Sequence, residues 1–168
     1  QSHCDFSPAH ARFSLERSLQ RLQTDCIDLL LVHSDGNDVA ILRDSGIYQT
    51  LAELKREGKI RAFGLSGKTI AGGLLALEQG DCAMVTYNLA EQGEKPVLDY
   101  AAAHSKGILI KKALASGHAC LAGQDPVRAS FELLFGHPGV SSAIVGTINP
   151  QHLAINVATA ATVIRSLS

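Results

Sequence analysis

An α/β protein built on parallel strands is what this sequence predicts, and three observations predict it. Five short aliphatic runs alternate with longer stretches of helical period along all 168 residues. The runs are apolar nearly throughout rather than alternating, as in a sheet covered by helices. Four of the helical stretches stop at a glycine (Gly58, Gly80, Gly107 and Gly136) close to the next run, which is how helices hand over to strands. Consecutive parallel strands need a crossover of a dozen or more residues, and a helix supplies it.

The elements follow in order. A first helix is expected after Ser7-Pro8, with Ser7 as N-cap, Pro8 in the first helical position, and Leu15, Leu19 and Leu22 on one face. "IDLLLVH" (27–33) reads as a buried strand that finishes on an imidazole, His33. The polar stretch "SDGNDVAILRDS" (34–45) reads as a loop; either it borders a substrate or, the favoured reading, Asp35 and Asp38 are no more than solvated turn residues. A second helix spans 47–57, with Ile47, Leu51 and Leu54 facing inward, and "IRAFGLS" (60–66) is the next strand. "GLSGKT" (64–69) lacks P-loop spacing. It nonetheless follows a strand and opens a helix, so its N–H groups are placed to meet an anion, unless the glycines serve only a tight turn. Helices over 69–78, 96–105 and 126–135 alternate with strands "CAMVTYN" (82–88), "GILIKKA" (107–113) and "SSAIVGT" (141–147), and a last helix starts near Asn149-Pro150. Five βα units suit a doubly wound sheet or part of a (β/α)8 barrel, which takes about 250 residues.

Composition narrows the function. With 46% apolar and 18% charged residues, the chain is expected to form one globular domain over residues 1–168. A formal net charge of −1 gives no reason to expect nucleic acid or an anionic membrane as partner. No apolar run approaches the roughly 20 residues of a membrane span. "QSHCDFSPAHARFS" has no signal-peptide core, and a cytoplasmic location is expected. Because the sequence opens on Gln1, residues upstream are expected, whether removed or lying outside it. Cys4, Cys26, Cys82 and Cys120 are widely spaced and read as free thiols in a reducing compartment. No spacing of His, Cys or carboxylate suggests a metal site.

Several segments, in order, resemble the aldo-keto reductases. "FSLERSLQRLQTDCIDLLLVHS" is similar to the family's helix and strand ending in His, and "LAELKREGKIRAFGLSG" to its next unit, leading to G-x-S-N. "VTYNL" and "SSAIVGTINPQHLAIN" resemble a later strand and the last cofactor-binding turn and helix. The resemblance implies a (β/α)8 TIM barrel of which this chain supplies the last five βα units, strands four to eight. It also implies hydride transfer from NADP or NAD to a small aldehyde or ketone. His33 then stands at the C-terminal end of a barrel strand, where such enzymes keep their chemistry, and orients and polarises the substrate carbonyl. The oligomeric state stays open.

For the cofactor, the resemblance points to Ser66, Gly67, Met84 and Lys111 near the nicotinamide. Gly146, Thr147, Asn149, Gln151, His152 and Asn156 are expected near the phosphates and adenosine. The chain departs from the family at several of these positions. Gly67 stands in place of Asn, Met84 in place of Gln, and Lys111 in place of a stacking Tyr. Lys111 and Lys112 suit the ring edge or a solvated loop equally. His152 and Gly146 stand where many NADPH-preferring members have Arg and Lys, and Arg is the best bidentate partner of a phosphate. The family's Asp, Tyr and Lys have no match; Tyr48, Tyr87 and Tyr100 lie in other contexts. The 168 residues alone are therefore expected to be inactive, with unpaired edges at the outer strands. The alternative is a non-catalytic fragment or relative that assembles with another chain or weakly binds dinucleotide.

Overall fold

Ser7 is extended, and its hydroxyl oxygen accepts a hydrogen bond from His10 N at 3.2 Å. Helix α1 (Pro8–Leu22) thus begins with one orphan donor satisfied and with proline where no N–H is needed. The computed structural model describes residues 4–114 and 125–167. In it Leu15 and Leu19 are buried as expected, whereas Leu22 is 66% exposed. Leu22 is the last helical residue, and the chain turns away at Gln23 in a left-handed conformation with φ 53°.

The chain divides into two compact units between Met84 and Val85. After α1, the first contains β1 (Ile27–His33), α2 (Asp38–Asp44), α3 (Ile47–Arg56), β2 (Ile60–Ser66), α4 (Ile70–Gln79) and the start of β3 (Cys82–Thr86). β1 pairs with β2 in parallel from Ile27↔Ile60 to His33↔Ser66, and β2 pairs with β3 from Gly64↔Cys82 to Ser66↔Met84. Val32 and Leu65 enter a core with Leu15, Leu19, Leu51, Leu54 and Phe63. The stretch expected as a loop over 34–45 contains α2. That helix holds because Ile41 and Leu42 are buried in the same core, a tertiary gain that its polar flanks conceal.

The second unit carries α5 (Lys95–Ala103), β4 (Gly107–Lys111), α6 (Pro126–Phe135), β5 (Ser142–Ala143) and α7 (Pro150–Leu167). β4 and β5 are parallel, with Leu109↔Ser142 and Ile110↔Ala143 in register. All three strands expected here are shorter than their apolar runs. β3 ends at Thr86 because Asn88 Oδ1 takes the N–H groups of Ala90 and Glu91 into a turn. β4 ends where Lys112 turns left-handed at φ 55°, and β5 is only two residues long. Asp125 caps α6, accepting from Val127 N and Arg128 N at 3.0 and 3.2 Å, and α6 packs on α7. Phe131, Leu134 and Val163 are buried in this unit.

Among the described residues, Cys4, Cys26 and Cys82 are free thiols; Cys120 lies outside them. Burial, with the nearby Asp81 charge, pushes the Cys82 thiol up to about 11, so it serves as a small hydrophobe. No helix among the described residues is long and apolar enough to cross a membrane.

Tyr48 sits in the first unit's core with its ring edge-on to Phe63, centroids 5.3 Å apart. Its phenol oxygen is buried and finds no hydrogen-bond partner among the described residues. Burial, aided by Cys82 and Asp81, drives its pKa far up, so the group stays neutral. Tyr48→Phe removes an unpaired polar atom while keeping the ring. It is expected to raise the unfolding free energy by about 1 kcal/mol, read from urea denaturation; a loss of stability would reveal a partner for the hydroxyl.

Candidate active site

The register of the first unit brings three expected site residues into one row. His33 pairs with Ser66, and Ser66 with Met84, at or near the C-terminal ends of three parallel strands. Side chains alternate between faces along a strand. The preceding row, Val32, Leu65 and Ala83, is buried, with Val32 and Leu65 in the helix-covered core, so His33, Ser66 and Met84 share the opposite face. His33 is exposed, Ser66 buried and Met84 half-buried. The row thus offers one accessible imidazole beside a hydroxyl and a thioether.

Beside this row lies a buried carboxylate. Asp38, expected as a solvated turn residue, is 1% exposed, whereas Asp35 is exposed. Ser34 Oγ donates to Asp38 Oδ1. Asp38 Oδ2 accepts from Lys68 N at 2.8 Å, Thr69 N at 2.7 Å and Thr69 Oγ1 at 2.8 Å. The "GLSGKT" turn does present N–H groups to an anion, but the anion is the chain's own. Burial alone would raise the Asp38 carboxyl. The hydrogen bonds from Ser34, Lys68 and Thr69 outweigh it and hold the group below its ordinary value.

The second unit gathers a different set. A cleft of about 690 Å³ is lined by Lys111, Lys112, Gly146, Thr147, His152 and Asn156, with Val127, Ile144 and Ile155 among its apolar walls. Asn149 and Gln151 do not line it. Asn149 instead organises the turn before α7: its N–H donates to Thr147 Oγ1 at 3.1 Å, and its Oδ1 accepts from Gln151 N at 2.9 Å. Asn88, which sequence reasoning did not single out, is buried, and its Nδ2 donates to the Lys112 carbonyl at 3.1 Å. It thereby ties the turn after β3 to the left-handed bend at the cleft.

A further cluster in this unit has catalytic-looking composition but no spare chemistry. His137 Nδ1 accepts from Gly139 N at 3.1 Å, so its Nε2 carries the proton facing Asp99 Oδ1 at 3.0 Å. Lys95 Nζ donates to the same oxygen at 2.7 Å. The Lys95 and His137 hydrogen bonds hold the Asp99 carboxyl low. Tyr87 stands edge-on to the imidazole, and the set reads as an ion cluster.

Residues 1–120 match the model of the aldo/keto reductase family, well over half the chain. The chain belongs to the aldo/keto reductase family. A Pseudomonas aeruginosa protein described as an aldo-keto reductase superposes with a TM-score of 0.91 at 67% identity, over 98% of this chain and 62% of its own. Methylglyoxal reductase DkgB of Salmonella typhimurium is 33% identical over 116 residues, 63% of this chain and 41% of that relative. An aldo/keto reductase from Klebsiella pneumoniae, in complex with NADP and acetate, shares the fold at TM-score 0.68 and 24% identity, over 96% of this chain and 68% of its own. The chain therefore spans less than two thirds of the Pseudomonas and Salmonella proteins. Its α/β fold with parallel strands matches the (β/α)8 fold of the family.

Gly67 follows Ser66 in the turn before α4. A Cβ there would lie 3.0 Å from Asp38 Oδ2 and 3.1 Å from Leu65 Cδ2, so a side chain would be crowded by both. Ser34, Asp38 and Asn88 are the residues that sequence reasoning missed. The available signal was Ser34 and Asp38 four residues apart, on the polar run after His33.

Because its folded pKa is lowered, Asp38 contributes stability that is fully present above its unfolded value near 4 and lost as pH falls through the folded value. Asp38→Asn cannot ionise. Acid titration followed by circular dichroism is expected to show a shallower loss of stability below about pH 4 for the variant. Equal slopes would mean that the carboxylate is not what the turn holds.

Proposed function

We propose that the chain is the nicotinamide-handling part of a reductase that converts small aldehydes or ketones to alcohols using NADP or NAD. One observation carries it: His33 and Ser66, the last residues of two parallel strands, stand in one row with Met84 of the third, toward the end where barrel enzymes place their chemistry. The named activity of the Salmonella relative, methylglyoxal reduction, supports a small carbonyl substrate.

His33 donates a hydrogen bond to the substrate oxygen and so stabilises the negative charge that builds there as the carbon is reduced. What the dinucleotide supplies when bound is the hydride. Ser66 holds the carboxamide, and Met84 lines the same face. In the second unit, the cleft's combination of apolar wall with Lys111, Lys112 and His152 suits a ring beside a phosphate. Gly146 leaves that cleft's edge open, with nothing within 4 Å of where its Cβ would stand. The family's proton donor, a Tyr with its Lys and Asp, has no match among the 168 residues. Turnover accordingly belongs to a protein that also carries those residues, as the (β/α)8 fold of the family implies, in five βα units plus the rest of the barrel.

The second reading, a non-catalytic chain that assembles with another or binds dinucleotide weakly, is favoured by the same missing residues and by Gly67, Met84 and Lys111 at cofactor positions. Reductase assays on methylglyoxal with NADPH and NADH, using the full-length protein, separate the two. Activity is expected there, and His33→Ala is expected to lower kcat by about 10²- to 10³-fold while leaving dinucleotide affinity nearly unchanged. No turnover with either cofactor, alongside measurable dinucleotide binding, would favour the second.

A further inference from the structure

We propose that Asp38 is a positioning residue of this site: its buried carboxylate sets the backbone of Ser66 and Gly67 against His33, doing from within what a bound anion does at an open helix N-terminus. The assignment rests on the functional reading above, because it concerns how Ser66 is held for the nicotinamide.

Three features of the structure lead there. The first is the placement of the partners on both sides of Ser66–Gly67. Before Gly67, the Ser66 carbonyl accepts from Ser34 N at 3.2 Å. After it, Lys68 N and Thr69 N both donate to Asp38 Oδ2. Ser34 closes the frame, since its hydroxyl donates to Asp38 and its oxygen accepts from Gly36 N at 2.9 Å. Ser34 directly follows His33, so one network fixes the imidazole's strand end and the cofactor turn together.

The second feature is burial. Asp38 is 1% exposed and forms no salt bridge among the described residues, so its charge is held by hydrogen bonds alone. A buried charge is costly unless every lone pair that matters is met. The third is the space reserved for it. A Cβ at Gly72 would collide with the Asp38 Cβ and come within 2.5 Å of its Oδ2, while one at Gly67 would crowd the same oxygen. Two glycines of one turn and helix are thus shaped around one carboxylate.

The N–H groups of Lys68 and Thr69, just before α4, are taken up by Asp38, and the Thr69 hydroxyl oxygen also accepts from Gly72 N at 3.1 Å. Those two N–H groups are therefore committed to the chain's own carboxylate.

The test measures nicotinamide-dependent affinity separately from the rest. The full-length protein, its Asp38→Ala and Asp38→Asn variants, and a Leu51→Ala stability control are titrated with NADPH and with 2′-phospho-ADP-ribose, which lacks nicotinamide. Asp38→Ala is expected to weaken NADPH binding about tenfold or more while leaving the fragment's affinity within about twofold, and Asp38→Asn to recover part of the loss. Leu51→Ala is expected to lower Tm without changing the ratio of the two affinities. If Asp38→Ala shifts both ligands equally, or neither, the assignment is overturned. Should that variant fail to fold, Ser34→Ala keeps the carboxylate and removes one donor; an unchanged ratio there overturns it equally. A wild-type protein that gains nothing from the nicotinamide overturns the functional reading, and the role of Asp38 with it.

Discussion

In-register parallel pairing of β1 with β2 is the constraint on which the candidate chemistry depends. The two strands run together from Ile27↔Ile60 to His33↔Ser66, so the buried pair Val32–Leu65 and the row beyond it are set by the same ladder. A slip of β1 by one residue would send Leu30 and Val32 to the open face and His33 into the helix-covered core. The cost of exposing those aliphatic side chains is what keeps the imidazole beside the hydroxyl. Packing specifies the site here before any polar interaction does.

Polar interactions then act on the loops that the ladder leaves free. In the first unit, a carboxylate from α2 gathers the N–H groups that open α4. In the second, Asn88 gathers Ala90, Glu91 and the Lys112 carbonyl. Both are buried side chains, and both connect a turn to a segment far away in sequence. Such groups cost desolvation unless fully bonded, so each is committed to a single arrangement once formed. The exposed groups, His33 in one unit and Lys112 and His152 in the other, are left free of this structural duty.

The parts legible in the sequence were those where burial has a period. Leu15, Leu19, Leu51 and Leu54 declare their helices, and the largely apolar runs ending at His33 and Ser66, each broken by one charged residue, declare strands with the right bounds. Ser7 and Asp125 cap as their chemistry predicts, although only Ser7 was singled out. Short elements were hidden. α2 has only seven residues, too few to show a helical period, and it is held by Ile41 and Leu42 rather than by propensity. β5 is two residues long, and the apolar run expected to be covered there is not buried: Ile144 is 45% exposed. Asp38 was illegible for a deeper reason. A carboxylate in a polar run reads as solvated, and only the fold reveals that donors from Lys68 and Thr69, thirty residues later, enclose it.

The space around that carboxylate also links positions that no local rule connects. Gly67, Gly72 and Asp38 share one small volume, so inheritance at the three sites is not independent. A side chain at position 72 would collide with the acid at 38, while one at 67 would require the carboxylate to give by a few tenths of an ångström. Among relatives, the three columns should therefore change as a set, with the acidic residue found where both neighbours lack a Cβ. The carboxylate and the two hydrogens that stand in for side chains form one inherited character.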